Sequence, residues 1–457
     1  MHERPQTELF CEWLENYLDF EHIKKKDDFS LEPMRFLAER FKHPERSFKS
    51  IHVAGSKGKG SVSTMMASIM DAAGIHAGLY TSPHLLDFKE RVSSSRGTFS
   101  EAVYGKACDI VVPLVESIIP GSIPGGAEPS WFELVTLFAF ITFREARLPW
   151  AVIETGLGGR LDATNVIHPE ACVIMPVELE HTEYLGKTIE KIAGEKAGII
   201  KKGIPVFVSE QTNEALSVFA SKAKELSAPL FCMKDAIKSL HSTPSTDGLD
   251  IVIAFNNLPG GAYFKRPLNA RLSLVNPVQA ENAAIAAYTM KYLFPELTEK
   301  IIEAGLSQAW LPGRFEILDN HPPVILDGAH TIRSITLTLD TFASLFPGNA
   351  HLLFACAADK AVDDFAQLFK GHFSHITVTR PGDKKPSDMD HASNAFSRVF
   401  SGQDKQICSI NENYVEAIQD AISRAIKVQA PLLVTGSFYL VAEAKKILAS
   451  LSQDRES

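Results

Sequence analysis

Residues Ile51–Met70 read IHVAGSKGKGSVSTMMASIM: a β-branched run that opens into a glycine-rich turn carrying two lysines and then into a segment of helical composition. Ile51 and Val53 supply a strand, and Gly55, Gly58 and Gly60 let the backbone approach an anion with no Cβ in the way. A helix beginning at Ser61 presents free N–H groups and a positive dipole end, both of which favour negative charge. Lys59 adds a cation beside the β- and γ-phosphates, and Ser61 can give its hydroxyl oxygen to a magnesium ion. The string departs from the usual GxxxxGK[ST] form because Gly60 separates Lys59 from Ser61. An ordinary glycine-rich turn is the plainer alternative for this segment taken alone.

Outward from this turn, strand-like and helix-like runs alternate, the pattern of a mostly parallel sheet with helices on both faces. Strands are expected near Ile51–Ala54, Ile75–Tyr80, Trp150–Ile153, Ala171–Met175 and Pro205–Val208, and helices over Ser61–Ala73, Trp131–Arg144, Thr188–Ile199 and Glu214–Leu226. Residues 230–275 hold turn signals at Asn257, Gly260 and Gly261 and suggest a small added sheet, with an alanine-rich helix after it from Val278 to Leu293. WLPGRFE, Trp310–Glu316, breaks the periodicity and reads as a hinge, so two α/β domains are expected, 1–311 and 312–457. The second restarts the alternation with strands at Val324–Leu326, His351–Ala355, Ile376–Thr379 and Leu432–Thr435, in a smaller Rossmann-like arrangement. The Pro- and Gly-rich stretch Pro120–Ser130 reads as a surface connector or a mobile flap.

Bulk properties fit this plan. At 457 residues the chain exceeds what one hydrophobic core usually supports. A net charge of −9 without a long basic run argues against nucleic acid or an anionic membrane as the main partner, so an anionic ligand must find local cations. Six scattered cysteines with no CxxC spacing fit a reducing cytoplasm. The N-terminus lacks the plan of a signal peptide, and no apolar run is long enough to span a bilayer.

Several further strings carry chemistry. Glu154 ends an apolar strand and precedes TGLGGRLDATN, which puts its carboxylate at the carboxyl edge of the sheet, where such folds bind ligands. A magnesium ligand suits that place, and a capping or ion-paired glutamate is the alternative. Gly156, Gly158 and Gly159 permit close backbone approach there, with Arg160 and Asp162 able to address a polar ligand. His181 comes after the strand around Val173 and can either ligate a metal or cap a turn. Lys196 lies on a helix whose Ile192 and Ile199 share a face, so its stem can be buried. Burial lowers a lysine pKa, and the neutral amine can take up carbon dioxide as a carbamate, an oxygen ligand suited to magnesium. Arg314 has the fork that matches phosphate oxygens, Asp327 and His330 come just after a strand in VILDGAHT, and Asn282 can bond a base or ribose. A solvated lysine, a turn-forming aspartate and a polar helix face are the ordinary alternatives for Lys196, Asp327 and Asn282.

Together the strings HVAGSKGKGS, TSPHLLDFKERV, ETGLGGRLDATN, HTEYLGKTIEKIAGEKAGIIK, PGRFE and LDGAH, in this order, resemble the folylpolyglutamate synthase and dihydrofolate synthase family of the Mur ligase superfamily. The resemblance runs from about residue 30 to GSFYLVAE, Gly436–Glu443. It implies an ATP-dependent amide ligase that adds L-glutamate to a reduced folate, or also to dihydropteroate, through an acyl phosphate. By the same resemblance Lys57, Gly58, Lys59, Gly60 and Ser61 would bind the ATP phosphates, and Asn282, Arg314 and Asp327 would contact ATP. Ser61, Ser82 and Glu154 would serve one magnesium ion, and His181 a second together with carbamylated Lys196; a monovalent cation is a further expectation. Lys59, Glu154, His181 and Lys196 would carry the catalysis. The pterin would rest near Trp131, Phe132 and Glu133 and near Leu161, Asp162 and Ala163, with His330 and Ser437 meeting the incoming glutamate or phosphate. A cytoplasmic monomer is implied, acting on small molecules with neither nucleic acid nor membrane as partner, and closing about the WLPGRFE hinge to exclude water. Two positions depart from the family pattern: Glu180 stands where an aspartate is usual, and Thr331 where an asparagine is usual. A cell-wall Mur ligase, and a phosphate-driven switch without ligation chemistry, are the competing readings.

Overall fold

The strand that leads into the glycine-rich turn sits at the middle of a seven-stranded sheet. Its members are β1 (Lys49–Ala54), β2 (Ala77–Tyr80), β3 (Val92–Ser94), β4 (Trp150–Glu154), β5 (Ala171–Ile174), β6 (Val206–Val208) and β7 (Leu230–Cys232), in the order β3-β2-β4-β1-β5-β6-β7. All neighbours run parallel except β3, which pairs antiparallel with β2. The structure, a computed structural model, describes residues 4–17, 30–124, 128–318, 321–402 and 407–456. Residues 125–127 of the expected Pro120–Ser130 connector lie outside that set.

The strands are short and buried on both faces, as helices on both sides of a parallel sheet require. One apolar cluster joins Tyr80, Ala151 and Ile153 to the Glu101–Glu116 and Trp131–Glu145 helices. Another joins Ala54, Cys172, Ile174, Val206 and Val208 to the Ile189–Ala197 and Asn213–Glu225 helices. The Lys59–Ala72 helix is buried on every side from Ser61 to Met70. The Glu299–Gln308 helix crosses it so closely that a Cβ on Gly305 would lie 2.4 Å from the Ile69 Cα, and the Ser68 hydroxyl donates to the Gly305 carbonyl at 2.7 Å. That contact fixes the helix that begins at the glycine-rich loop.

A three-stranded sheet comes next, β8 (Ile237–Ser245), β9 (Gly248–Phe255) and β10 (Leu268–Leu272), in the order β10-β9-β8. It is smaller than expected, because Leu230–Cys232 extends the main sheet as β7: its Phe231 stacks on Phe207 of β6 at 5.4 Å between ring centroids. A six-stranded sheet completes the chain: β11 (Glu316–Leu318), β12 (Val324–Asp327), β13 (His351–Phe354), β14 (His375–Val378), β15 (Cys408–Ile410) and β16 (Leu432–Thr435), in the order β11-β12-β16-β13-β14-β15. Here only β11 is antiparallel.

The chain divides into two units, Met1–His241 with Ile251–Arg271 and Gln279–Ala309, and Ser242–Asp250 with Leu272–Val278 and Trp310–Ser457. The second therefore draws two segments from before the break set by sequence at 311/312. All six cysteines are free. Among the described residues no helix is long and apolar enough to cross a membrane.

Candidate active site

In the first unit, register brings the reactive segments together. Val53 of β1 lies opposite Glu154 of β4 and Val173 of β5, and Tyr80 of β2 lies opposite Ile153. The carboxyl ends of β2, β4, β1 and β5 therefore sit side by side. They lead, in that order, into Ser82, the Glu154 loop, the glycine-rich loop and the Met175–His181 segment.

The glycine-rich loop is held from beneath. A Cβ on Gly55 would lie 2.5 Å from the Met175 Cβ, and Gly58 has φ +83° with the Asn282 side-chain Oδ1 2.8 Å from its absent Cβ. Both positions require glycine by crowding and by a positive φ, +149° at Gly55. Asn282 thus sits on the loop itself, its amide donating to Gln279 Oε1 at 2.8 Å. The Ser56 N–H donates to the Pro176 carbonyl at 2.8 Å and the Glu178 N–H to the Ser56 hydroxyl at 3.0 Å, which fastens the segment leading to His181 alongside the loop.

Lys59 curls back so that its ammonium donates to the Gly55 carbonyl at 3.0 Å and lies 3.9 Å from Glu154 Oε1. Glu154 is 3% exposed, and its other oxygen accepts from the Ser82 N–H at 3.0 Å. Ser61, the third residue of the Lys59–Ala72 helix, is buried. Lys57, Lys59, Ser61, Ser82 and Glu154 thus belong to one edge of one sheet.

Lys196 is 1% exposed, and loss of hydration, with the nearby Lys59 charge, brings its ammonium down from 10.5 to about 8. Its partner is Glu180, whose Oε1 lies 3.4 Å from Lys196 and whose Oε2 lies 3.7 Å from Lys57. Burial opposes ionisation of Glu180, but attraction to Lys196, Lys59, Lys57 and His181 outweighs it and leaves the carboxyl below its ordinary value. Glu180 received no role from the sequence. Its signal was there, an acid between the strand end and His181, but the two lysines that give it a purpose come from distant segments. His181 has a left-handed backbone, φ +47°, and starts the short Thr182–Leu185 helix. Loss of hydration and the neighbouring lysine charges lower its pKa against the pull of Glu180, so its imidazole is neutral and fit to ligate.

The glycine loop after Glu154 is held rigidly. Arg160 pairs with Glu195 at 2.9 Å, its N–H reaches the Glu195 carbonyl at 2.7 Å, and a Cβ on Gly198 would meet the Arg160 Cα at 2.4 Å. Asp162 turns inward: Leu157 N–H donates to it at 2.8 Å and Thr164 N–H at 3.0 Å, so it starts the Ala163–Val166 turn, with Leu161 preceding it on the same loop. Glu133 likewise caps its own helix, accepting from the N–H and hydroxyl of Ser130, each at 2.7 Å. Trp131 and Phe132 remain as the face next to this loop. The Phe132 Cζ lies 2.4 Å from where a Gly156 Cβ would be, and the Arg91 guanidinium stacks 4.8 Å over Trp131. Arg91, donating from Nε to His84 Nδ1 at 2.7 Å, is a second residue that sequence left without a role.

In the second unit, β12 and β16 end side by side, with Asp327 opposite Thr435. Asp327 is buried, and one of its oxygens accepts from the Phe315 N–H at 2.7 Å while the other accepts from the Ala329 N–H at 2.8 Å and the Thr338 hydroxyl at 3.1 Å. Burial raises its pKa against those donors and the Arg314 charge. Its carboxylate holds the PGRFE turn, where Phe315 has φ +50°, and so aims Arg314, whose guanidinium lies 4.4 Å over the Phe438 ring. His330 donates from Nδ1 to the Gly328 carbonyl at 2.8 Å, and the buried Ser437 accepts from the Tyr439 N–H at 3.2 Å. Arg314, Asp327, His330 and Ser437 thus share one edge.

Among the described residues no three His, Cys, Asp or Glu side chains converge as a ready-made metal cage. The groups gathered at the first edge include instead the hydroxyls of Ser61 and Ser82, the carboxylates of Glu154 and Glu180, the His181 imidazole and the buried Lys196 amine.

Residues 313–438 match the family model described as Mur ligase, glutamate ligase domain. Over 434 residues the chain is 31% identical to the dihydrofolate synthase/folylpolyglutamate synthase of Bacillus subtilis, covering 91% of this chain and 94% of that protein. Its fold is similar to that of the Mycobacterium tuberculosis folylpolyglutamate synthase complexed with ADP and AMPPCP, with a TM-score of 0.85, 27% identity and coverage of 97% and 98%. It is similar also to Escherichia coli FolC in complex with DHPP and ADP, with a TM-score of 0.79, 26% identity and coverage of 98% and 99%.

Proposed function

Because the chain belongs to the dihydrofolate synthase/folylpolyglutamate synthase family of Mur-type ATP-dependent ligases, we propose that it joins L-glutamate to a reduced folate, and to dihydropteroate as well, by way of an acyl phosphate. The observation that carries the reading is the shared edge of β2, β4, β1 and β5, where Lys59 faces Glu154 across 3.9 Å beside a glycine loop. A carboxylate resists attack by an amine, so the γ-phosphate of ATP is first transferred to it, and the glutamate amine then displaces phosphate from the acyl carbon.

In this reading Lys57, Gly58, Lys59, Gly60 and Ser61 cradle the triphosphate, and Lys59 leaves the Gly55 carbonyl to meet the transferring phosphate. Asn282 and Asp327 serve the nucleotide, Asp327 by fixing the turn that carries Arg314, whose fork suits phosphate oxygens. Trp131 and Phe132 form the apolar face for the pterin, and the Leu161–Ala163 loop its other wall. His330 and Ser437 address the incoming glutamate or the phosphate.

The donor set fits magnesium. Ser61, Ser82 and the buried Glu154 offer hard oxygens, and Lys196, whose ammonium is brought down to about 8 by burial, suits a carbamate beside His181. When bound, magnesium supplies charge neutralisation between the phosphates and the acceptor carboxylate. The chain is read as a monomer acting on small molecules.

The deciding experiment offers purified protein ATP, magnesium and glutamate with tetrahydrofolate in one tube and dihydropteroate in another. Gain of one glutamyl unit by mass in either tube supports the reading. ATP hydrolysis indifferent to both acceptors, with no mass gain, refutes it.

A further inference from the structure

His52 is fully buried on β1, just ahead of the phosphate loop, and the proposed ligation makes no use of it. Its Nε2 lies 2.8 Å from the Thr164 hydroxyl, and that hydroxyl bonds in turn to Asp162 Oδ1. The direction is set by proton count. Asp162 bears several donors and acts as an acceptor, so the single Thr164 proton points to it, and the Thr164 oxygen must receive the His52 Nε2–H. Nδ1, buried and without a partner, is then the unprotonated nitrogen. Burial, with the nearby Lys201 charge, holds the ring pKa down to about 3, so the imidazole is neutral throughout any working range.

An apolar side chain would suit this strand position better, because His52 is itself fully buried, and Ser50 and Ala54, which share its face of the strand, are buried as well. An imidazole with one unpartnered nitrogen costs stability there, and its one directed bond leads to the glycine loop. Asp162 closes that loop through Leu157 N–H and Thr164 N–H, and Gly156 at its start packs under Phe132.

We propose that His52 is a positioning residue for the acceptor substrate: by donating through Thr164 it orients Asp162 and sets the Gly156–Ala163 loop against the Trp131–Phe132 face. The proposal rests on the reading of that loop as the acceptor wall. It ties the strand that leads into the nucleotide loop to the wall that meets the second substrate.

The test compares His52→Leu, His52→Gln and Thr164→Val with the wild type, measuring KM for the acceptor and for ATP separately and melting temperature as a check on folding. His52→Leu and Thr164→Val should each raise the acceptor KM about tenfold, the usual scale for one lost bond to a carboxylate network, with ATP KM within about twofold. The double variant should be no worse than either single one. His52→Gln, whose amide N–H can stand in for Nε2–H, should restore most of the loss. Nitrogen-15 NMR on histidine-labelled wild type should show an Nε2–H tautomer for the resonance that His52→Gln removes. An Nδ1–H tautomer, a folded His52→Gln as impaired as His52→Leu, or equal rises in both KM values would overturn the proposal. If His52→Leu does not fold, Thr164→Val and His52→Gln carry the kinetic comparison. If the wild type ligates no folate acceptor, the functional reading fails on its own, and the tautomer still decides whether the relay exists.

Discussion

Replacing Lys196 with methionine should remove a pH-dependent increment of stability that the wild type gains in alkaline solution. In the folded chain the ammonium is 1% exposed and titrates at about 8, against 10.5 in the unfolded chain. Below pH 8 the amine is charged in both states, and the folded state bears the full cost of burying it. As pH rises from 8 to 10.5 the unfolded chain holds the proton while the folded chain has released it, so stability rises with pH across this window. At about 1.4 kcal/mol per pH unit the whole effect is about 3 kcal/mol, of which roughly 2 kcal/mol falls between about pH 7 and about pH 9.5. The assay is urea unfolding of wild type and Lys196→Met at these two pH values, in degassed buffer with chelator so that neither carbamate nor metal contributes. The difference between the two proteins should shift by that amount in favour of the wild type as pH rises. Parallel pH profiles would refute the reasoning, because they would mean that Lys196 keeps an ordinary pKa and that its amine is not preset for carbon dioxide.

Lys59→Ala should abolish turnover with either acceptor, by more than about a hundredfold, while circular dichroism stays unchanged; retained activity by product mass would count against the assigned loop. Asp327→Ala deprives Phe315 N–H, Ala329 N–H and the Thr338 hydroxyl of their acceptor and should destabilise the second unit by about 3 kcal/mol in denaturant unfolding, with a loss below about 1 kcal/mol contradicting the network. His375 is buried, and loss of hydration, then the Arg424 and His351 charges, lowers its pKa to about 4. The unfolded chain therefore takes up a proton near pH 6.5 that the folded chain refuses until about 4, and stability should fall as pH falls through that interval. His375→Phe should show a shallower acid slope in thermal melts, and an unchanged slope would refute this.

The alternation of runs was enough to place β1, β4, β5 and the Val278–Leu293 helix, because strands buried on both faces read as continuous apolar runs and the helix reads as a long alanine-rich one. It was not enough for β3, β7 and β15, each three residues long, whose pairing partners rather than their own composition make them strands. The hinge string marked a break in the chain, but two earlier segments join the second unit, and only the folded contacts reveal that.

The same division holds at the site. The place of Gly55 and Gly58, Lys59 and Glu154 at the carboxyl edge of the sheet was legible in sequence because each lies within a few residues of a strand end, where local geometry alone sets it. The purposes of Glu180, Asp162 and Asp327 could not. Whether a carboxylate faces a ligand or holds its own loop depends on which donors reach it, and for Glu180 those donors are the side chains of Lys57 and Lys196, far apart along the chain. Local pattern therefore determined which residues stand at the edges of the two sheets, and tertiary packing decided which of them are turned outward, because burial and long-range hydrogen bonding are properties of neighbours that the chain brings together only when it folds.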